Sequence, residues 1–303
     1  MSDRFAVIGS SSFTGRAFVA LLRGLGYGVV ELSRPDYDLR FPEQIAGRIA
    51  AVNASHVVNF AALNMVAESW QHFSDYYEVN VIGVAGLCDK LRKLKWGGRF
   101  VQISTPEVYG SQGGLIKDGA PFMPSTPYAV SRAAIDMHLK ALHAAFGFRV
   151  LFTRSVNVYG PGQQVYRLIP KTVLSIMRGD KLKLHGGGVS RRSWLHVADA
   201  AEAIRGVVLY GSEGEDYHIS GSPLMSIREV VERICELMDV RFDEAVEIGA
   251  ERPGKDMDYD LDDSKLRLRW ATDRKEFSLG LDETVEWFRR NQVSGSLEYA
   301  HGH

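Results

Sequence analysis

Cysteine is nearly missing from this chain: its 303 residues include two, Cys88 and Cys235. Thiols that far apart make neither a disulfide framework nor a metal-ligand spacing, and they fit a reducing compartment. A dominant charge is missing as well. Lys and Arg number 36 against 37 Asp and Glu, for a net charge of −1, so bulk electrostatics points to neither a nucleic acid nor an anionic membrane surface as partner. No apolar run is long enough to cross a bilayer. The opening stretch MSDRFAVIG carries charges and passes straight into a strand pattern, unlike a secretory leader, and a cytoplasmic location is expected. There is no repeat and no low-complexity segment. His301 and His303 stand alone in a loop-like tail, 294–303, and no His/Cys/Asp cluster has metal-ligand spacing.

What is present is organised around residues 100–132. An apolar, β-branched run at 100–103 reads as a buried parallel strand. It ends in Ser104 and Thr105, with Glu107 two residues beyond Thr105. After a Gly- and Pro-rich loop, Tyr128 opens a helix, and Arg132 lies four residues on, hence on the same helix face. In an open α/β sheet, reactive groups gather beyond the carboxyl ends of the strands. A hydroxyl, a carboxylate, a phenol and a cation are expected there together.

The first strand is expected at 5–8, followed by a glycine-bearing turn and an amphipathic helix. Gly9 allows the tight turn and Gly15 close helix–strand packing. Backbone N–H groups of Ser11, Ser12 and Phe13 can face a pyrophosphate at the helix N-terminus. The second strand, 29–32, ends at Ser33 and Arg34. A carboxylate there would repel a ribose 2′-phosphate, whereas Ser and Arg can bind one, so NADP is favoured over NAD. The alternative has Arg34 solvated and Glu31 serving the ribose. Helices are expected at 42–52, 72–95, 127–146 and 164–179, and strands at 56–60 and 148–153. Ser226 with Glu229 reads as a capping box.

These motifs resemble the extended short-chain dehydrogenase/reductases that act on nucleotide sugars, with their Ser-Thr, nearby Glu and Tyr-x-x-x-Lys pattern; the motifs come closest to the nucleotide-hexose 4,6-dehydratases. The resemblance runs along nearly the whole chain. It departs from the pattern at Ser12, where the middle glycine is usual, and at Arg132, where Lys is usual. It implies a doubly wound α/β sheet, Rossmann-like, at 1–156 and 195–220. A smaller nucleotide-sugar-binding domain is implied at 157–194 and 221–293. It further implies that Asp38 and Leu39 meet the adenine, that Ala61 lies beside the cofactor, and that Asn80 supports the site. Ser104, Asn157, Arg192 and Arg252 would bind the substrate, the last three at its diphosphate. Ser193 stands where Asp is usual, and His218, in Tyr-His-Ile-Ser, where Asn is usual. The helices at 72–95 and 127–146 resemble the pair that forms a homodimer interface, although their apolar residues Ile135, Leu139 and Leu142 can equally be core.

The chemistry implied starts with Tyr128 removing the proton of the 4-hydroxyl as hydride leaves carbon 4. A phenol, with an ordinary pKa of about 10, needs a nearby cation to do this near neutrality. Arg132 supplies charge but no proton. Thr105 would hydrogen-bond the 4-oxygen and Glu107 would remove the carbon-5 proton. Loss of the 6-hydroxyl and return of hydride to carbon 6 would give a 4-keto-6-deoxy sugar, with the tightly bound cofactor recycled. Many dTDP-glucose 4,6-dehydratases carry Asp before this Glu as the acid; here Pro106 stands there. GDP-mannose 4,6-dehydratases also lack the Asp and use NADP. The expected activity is therefore nucleotide-hexose 4,6-dehydration. A 4-epimerase, a decarboxylase or 5,6-dehydratase, and a catalytically silent NADP-binding protein remain as alternatives, the last because of Arg132.

Overall fold

In the computed structural model, the described residues are 3–112, 114–250, 258–270 and 272–293. Six strands form one parallel sheet: β1 (Arg4–Ile8), β2 (Gly28–Leu32), β3 (His56–Asn59), β4 (Arg99–Ser104), β5 (Val150–Ser155) and β6 (Asp216–Ile219). Their order is β2-β1-β3-β4-β5-β6. The chain winds outward from β1 to β2, then crosses to the other side of β1 to lay down β3. The order therefore reverses between β1 and β3, where an open α/β sheet has its crevice.

Both faces of the sheet are covered, which explains why its strands are apolar without alternation. Phe5, Val7, Val58, Val101 and Leu151 point to one apolar cluster, shared with helices α1 (Phe13–Gly24) and α5 (Val197–Tyr210). Their strand neighbours Ala6, Ile8, Val57, Phe100, Val150 and Phe152 point to the other face. There they pack with α2 (Pro42–Ala51), α3 (Val84–Lys93) and α4 (Pro127–Phe146).

At the crevice the backbones come very close. Gly9 has φ +73°, and a Cβ there would lie 2.6 Å from the Ala61 nitrogen. Only glycine fits a left-handed turn pressed against the end of β3. Ser12 needs no such freedom. It has extended φ/ψ and caps α1, its Oγ accepting from the Gly15 N–H at 3.2 Å. That is the physical reason a serine replaces the middle glycine.

The helix expected at 72–95 is present at 73–93 and is widened in its middle. It consists of Phe73–Tyr77, a wide π turn Glu78–Gly83, and α3. Two contacts coincide with the widened turn. The buried Asn80 amide accepts from the Leu63 N–H (2.9 Å) and donates to the Leu63 carbonyl (3.0 Å) and the Ser131 Oγ (3.0 Å). Gly83 lies against Leu39, where a Cβ would come 2.5 Å from the carbonyl oxygen.

A second body of structure sits beyond the carboxyl edge of the sheet. The strands Leu224–Ser226, Arg191–His196, Asp258–Leu261 and Leu115–Ile116 run side by side, and Asn157–Tyr159 pairs with the second of them. Helices Leu168–Arg178, Ile227–Leu237 and Phe277–Val293 enclose a separate apolar cluster. The capping box at Ser226 is formed, with Ser226 Oγ accepting from the Glu229 N–H and Glu229 Oε2 accepting from the Ser226 N–H.

Arg154 of β5 ties the sheet to α4. Its fully buried guanidinium donates to Asp136 of α4 at 2.6 Å and to Asp216 of β6, which also accepts from Lys140. Burial pushes the Asp136 carboxyl above its ordinary range, against the pull of Arg154 and Arg132. Replacing Arg154 by Leu should cost about 3–5 kcal/mol, because it strands buried carboxylates. The Asp136 pKa, already raised, would rise further. A carboxyl whose folded pKa exceeds its unfolded value destabilises above the unfolded pKa and is relieved as pH falls through the folded one. The deficit of the variant, measured by urea unfolding, should therefore shrink towards acid pH.

Candidate active site

Three elements converge beyond the end of β4. Thr105 follows the strand and caps the 3-10 turn Pro106–Tyr109, its Oγ1 accepting from the Glu107 N–H at 3.3 Å. Proline at the first position of this turn has no N–H to lose. Thr126 caps α4 through the Ala129 N–H at 3.1 Å, again followed by proline. The cap places Tyr128 and Arg132 on the inward face of the helix, where they are 8 % and 2 % exposed.

Burial raises the pKa of Tyr128, and Glu107 adds to that. Arg132 and the Thr105 hydroxyl oppose it by favouring the phenolate. The edge of Tyr76 packs against the phenol ring at 6.3 Å. Thr105, Glu107, Tyr128 and Arg132 are thus brought together: a hydrogen-bond donor, a carboxylate, and a phenol with its cation. The set suits proton removal from a hydroxyl and from a neighbouring carbon.

Arg132 donates through Nη2 to the Ile103 carbonyl, while Nε and Nη1 are buried with no hydrogen-bond partner among the described residues. A buried guanidinium with two unsatisfied donors calls for a ligand with hydroxyl or other acceptor oxygens. Together with the glycine turn at the crevice, this fits a dinucleotide with its ribose at Arg132. Gly15 closes the other side, where a Cβ would lie 2.5 Å from the Gly9 carbonyl oxygen.

The turn differs in detail from expectation. The Ser11 N–H donates to Ser33 Oγ (3.0 Å) and the Ser12 N–H to the Gly9 carbonyl (3.0 Å), so both are used within the turn. The correction leaves the anion-facing role to the first turn of α1, which opens at Phe13. Ser33 also bonds Ser10 Oγ at 2.8 Å and so ties β2 to the loop, with exposed Arg34 beside it. Glu31 is paired with Arg23 at 2.6 Å on the exposed side. Asp38 is held by Arg40 at 2.7 Å, which keeps its carboxyl below the ordinary range, and Leu39 is buried beside it. Ala61 donates its N–H to Asn59 Oδ1.

A family model described as the NAD dependent epimerase/dehydratase family matches residues 5–220. The chain belongs to this family. It is 36% identical over 317 residues to a dTDP-glucose 4,6-dehydratase of Streptomyces niveus, covering 96% of this chain and 94% of that one. Identity to a dTDP-glucose 4,6-dehydratase of Xanthomonas campestris pv. campestris is 34% over 265 residues, 80% of this chain and 75% of the other. Among solved structures, a dTDP-glucose 4,6-dehydratase from Streptomyces venezuelae with NAD bound superimposes with a TM-score of 0.88 at 31% identity, covering 96% and 98% of the two chains. One from Bacillus anthracis in complex with NAD gives 0.86 at 30%, with the same coverage. The family is described as NAD dependent, and the cradle around Gly9 and Arg132 fits a dinucleotide.

The substrate-side residues of the family pattern are only partly gathered. Asn157 opens the short strand that pairs with Trp194, and Arg192 lies on the adjoining strand, its Nη1 donating to the Arg191 carbonyl. Arg252 lies outside the described residues. Ser104 donates to Asp136 Oδ2 at 2.6 Å, so its proton is turned to the helix and its oxygen keeps only acceptor capacity. Ser193, where the family has Asp, donates to Asp260, which also accepts from Ser220 and from the Leu261 N–H. The carboxylate is supplied from another strand. Asp136, Arg154 and Asp216 carry no motif in the sequence. The one signal for Asp136 is its spacing of four from Arg132.

Because Arg132 lowers the Tyr128 pKa, Arg132→Gln should move the Tyr128 ionisation to higher pH, and Arg132→Lys should leave it near the wild-type value. Ultraviolet titration of the phenolate against a Tyr128→Phe control would measure this. Tyr128→Phe itself should lower kcat by about 10²–10⁴.

Proposed function

We propose that this protein is a nucleotide-hexose 4,6-dehydratase that forms a 4-keto-6-deoxy sugar. The observation that carries the reading is the joint placement of Thr105 and Glu107 on one capped turn facing the buried Tyr128. Tyr128 takes the proton of the 4-hydroxyl, and Thr105 hydrogen-bonds the 4-oxygen. Arg132 holds the phenolate and the ribose hydroxyls. A nicotinamide dinucleotide, held by the glycine turn at Gly9 and by Arg132, would supply the hydride exchange between carbon 4 and carbon 6. Glu107 removes the proton that the 4-ketone acidifies at carbon 5. Pro106 offers no acid, so Glu107, having gained that proton, is the group on the turn that can pass it to the departing 6-hydroxyl. A plain 4-epimerase needs no base at carbon 5.

Asn157, Arg192 and Arg252 bind the diphosphate, within a substrate-binding part made of 157–194 and 221–293. Ser33 and Arg34 favour NADP, since no carboxylate stands at the end of β2 to repel a 2′-phosphate. Phe73, Ile82, Val130 and Met137 expose apolar side chains on the 73–93 helices and α4. A homodimer through these helices would bury them. The two buried free thiols suit the cytoplasm. Among the described residues, no helix is long and apolar enough to cross a membrane.

Mass spectrometry of products from a panel of nucleotide hexoses and hexuronic acids, beginning with dTDP-glucose, tests the reading. The expected product has lost one water with no net reduction of cofactor. Unchanged mass with an isomerised sugar would establish an epimerase, loss of carbon dioxide a decarboxylase, and binding without turnover a silent protein. Ser33→Asp should weaken NADP binding about tenfold or more relative to NAD, read by calorimetry.

A further inference from the structure

Behind the turn that carries Glu107 lies a buried group with no part in the chemistry above. Tyr109, the last residue of that turn, meets His218 of β6, its hydroxyl 2.7 Å from Nε2 and the two rings edge to face at 5.4 Å. Both side chains are about 1 % exposed. Burial drives the Tyr109 phenol up to about 12, so it remains protonated. Burial likewise holds His218 below its ordinary value, as a neutral imidazole. The phenol therefore donates and Nε2 accepts, which leaves the ring proton on Nδ1. Nδ1 faces Asp118 Oδ1 at 3.5 Å, and the other carboxylate oxygen of Asp118 is 3.5 Å from Lys265.

Asp118 belongs to the loop between the catalytic turn and α4, and this loop presses on the turn. The Met123 N–H donates to the Val108 carbonyl at 2.9 Å, and a Cβ at Gly110 would lie 2.1 Å from the Met123 oxygen. The Arg154 guanidinium sits 5.4 Å over the Tyr109 ring. His218 is thus the one side chain of the sheet that hydrogen-bonds the turn from below, among the described residues, and it also faces the loop above. The family pattern has Asn at this position.

We propose that His218 is a positioning residue for Glu107: through Tyr109 it holds the turn at the height from which the carboxylate reaches carbon 5. The inference rests on the dehydratase reading. Tyr128 and Arg132 stand on α4 and Thr105 at the end of β4, so loosening the far end of the turn moves Glu107 and leaves them in place.

The test compares Tyr109→Phe, which removes one oxygen, with His218→Phe and His218→Gln, whose amide can still meet the phenol. Turnover is measured with ordinary substrate and with substrate deuterated at carbon 5. Tyr109→Phe and His218→Phe should lower kcat about tenfold with KM within about twofold of wild type, and should enlarge the carbon-5 isotope effect. His218→Gln should recover most of both. Unchanged kcat, or a fall with no larger isotope effect, would overturn the proposal. Nitrogen-15 NMR of the His218 ring reads the contact itself. A neutral ring protonated on Nδ1 in the wild type, perturbed by Tyr109→Phe, is expected, and a proton on Nε2 would overturn it. If wild-type protein dehydrates no nucleotide hexose, the function reading fails, while the NMR result still decides the contact.

Discussion

Much of this structure depends on one buried cation. The fully buried Arg154 guanidinium is paired with Asp136 from α4 and Asp216 from β6. A buried charge is tolerated only with its partners in place. The position of the helix bearing Tyr128 and Arg132 is therefore coupled to that of the sheet. Ser104, at the end of β4, joins the same carboxylate. The catalytic turn begins at the next two residues. Its aromatic end, Tyr109, lies under the same guanidinium. Strand end, helix and turn are in this way referred to a single point.

The cofactor side relies on close approach instead of charge. Gly9 against Ala61 and Gly83 against the Leu39 carbonyl bring backbones nearer than any side chain allows. Asn80 then fastens the loop after β3 to α4 through Leu63 and Ser131. The π turn is where this amide and the Gly83 contact occur together. Arg132, with its two unsatisfied donors, follows Ser131 on the same helix.

Local features were readable in the sequence because their causes are local. Ser226 and Glu229 cap each other across three residues, and Tyr128 and Arg132 share a helix face. Apolar strands announce a sheet covered on both faces. Where the cause is distant, the local sequence does not show it. Glu31, the alternative ribose ligand, forms an exposed ion pair with Arg23 of α1. The Ser11 and Ser12 N–H groups were expected to face a phosphate, but Ser33 and Gly9 accept from them. Asn80 resembled a supporting residue, yet nothing local forecast the π turn around it.

The sequence by itself determined the parallel sheet, the glycine turn, and the identity of the groups able to move protons, since periodicity, backbone permissiveness and side-chain chemistry belong to each residue. Tertiary structure alone decided which of those groups meet, where the charge of Arg154 is balanced, and that Asp260 stands in for the carboxylate missing at Ser193. Those outcomes depend on segments up to 67 positions apart, brought together by burial, and burial is a property of the folded whole that no single stretch of chain contains.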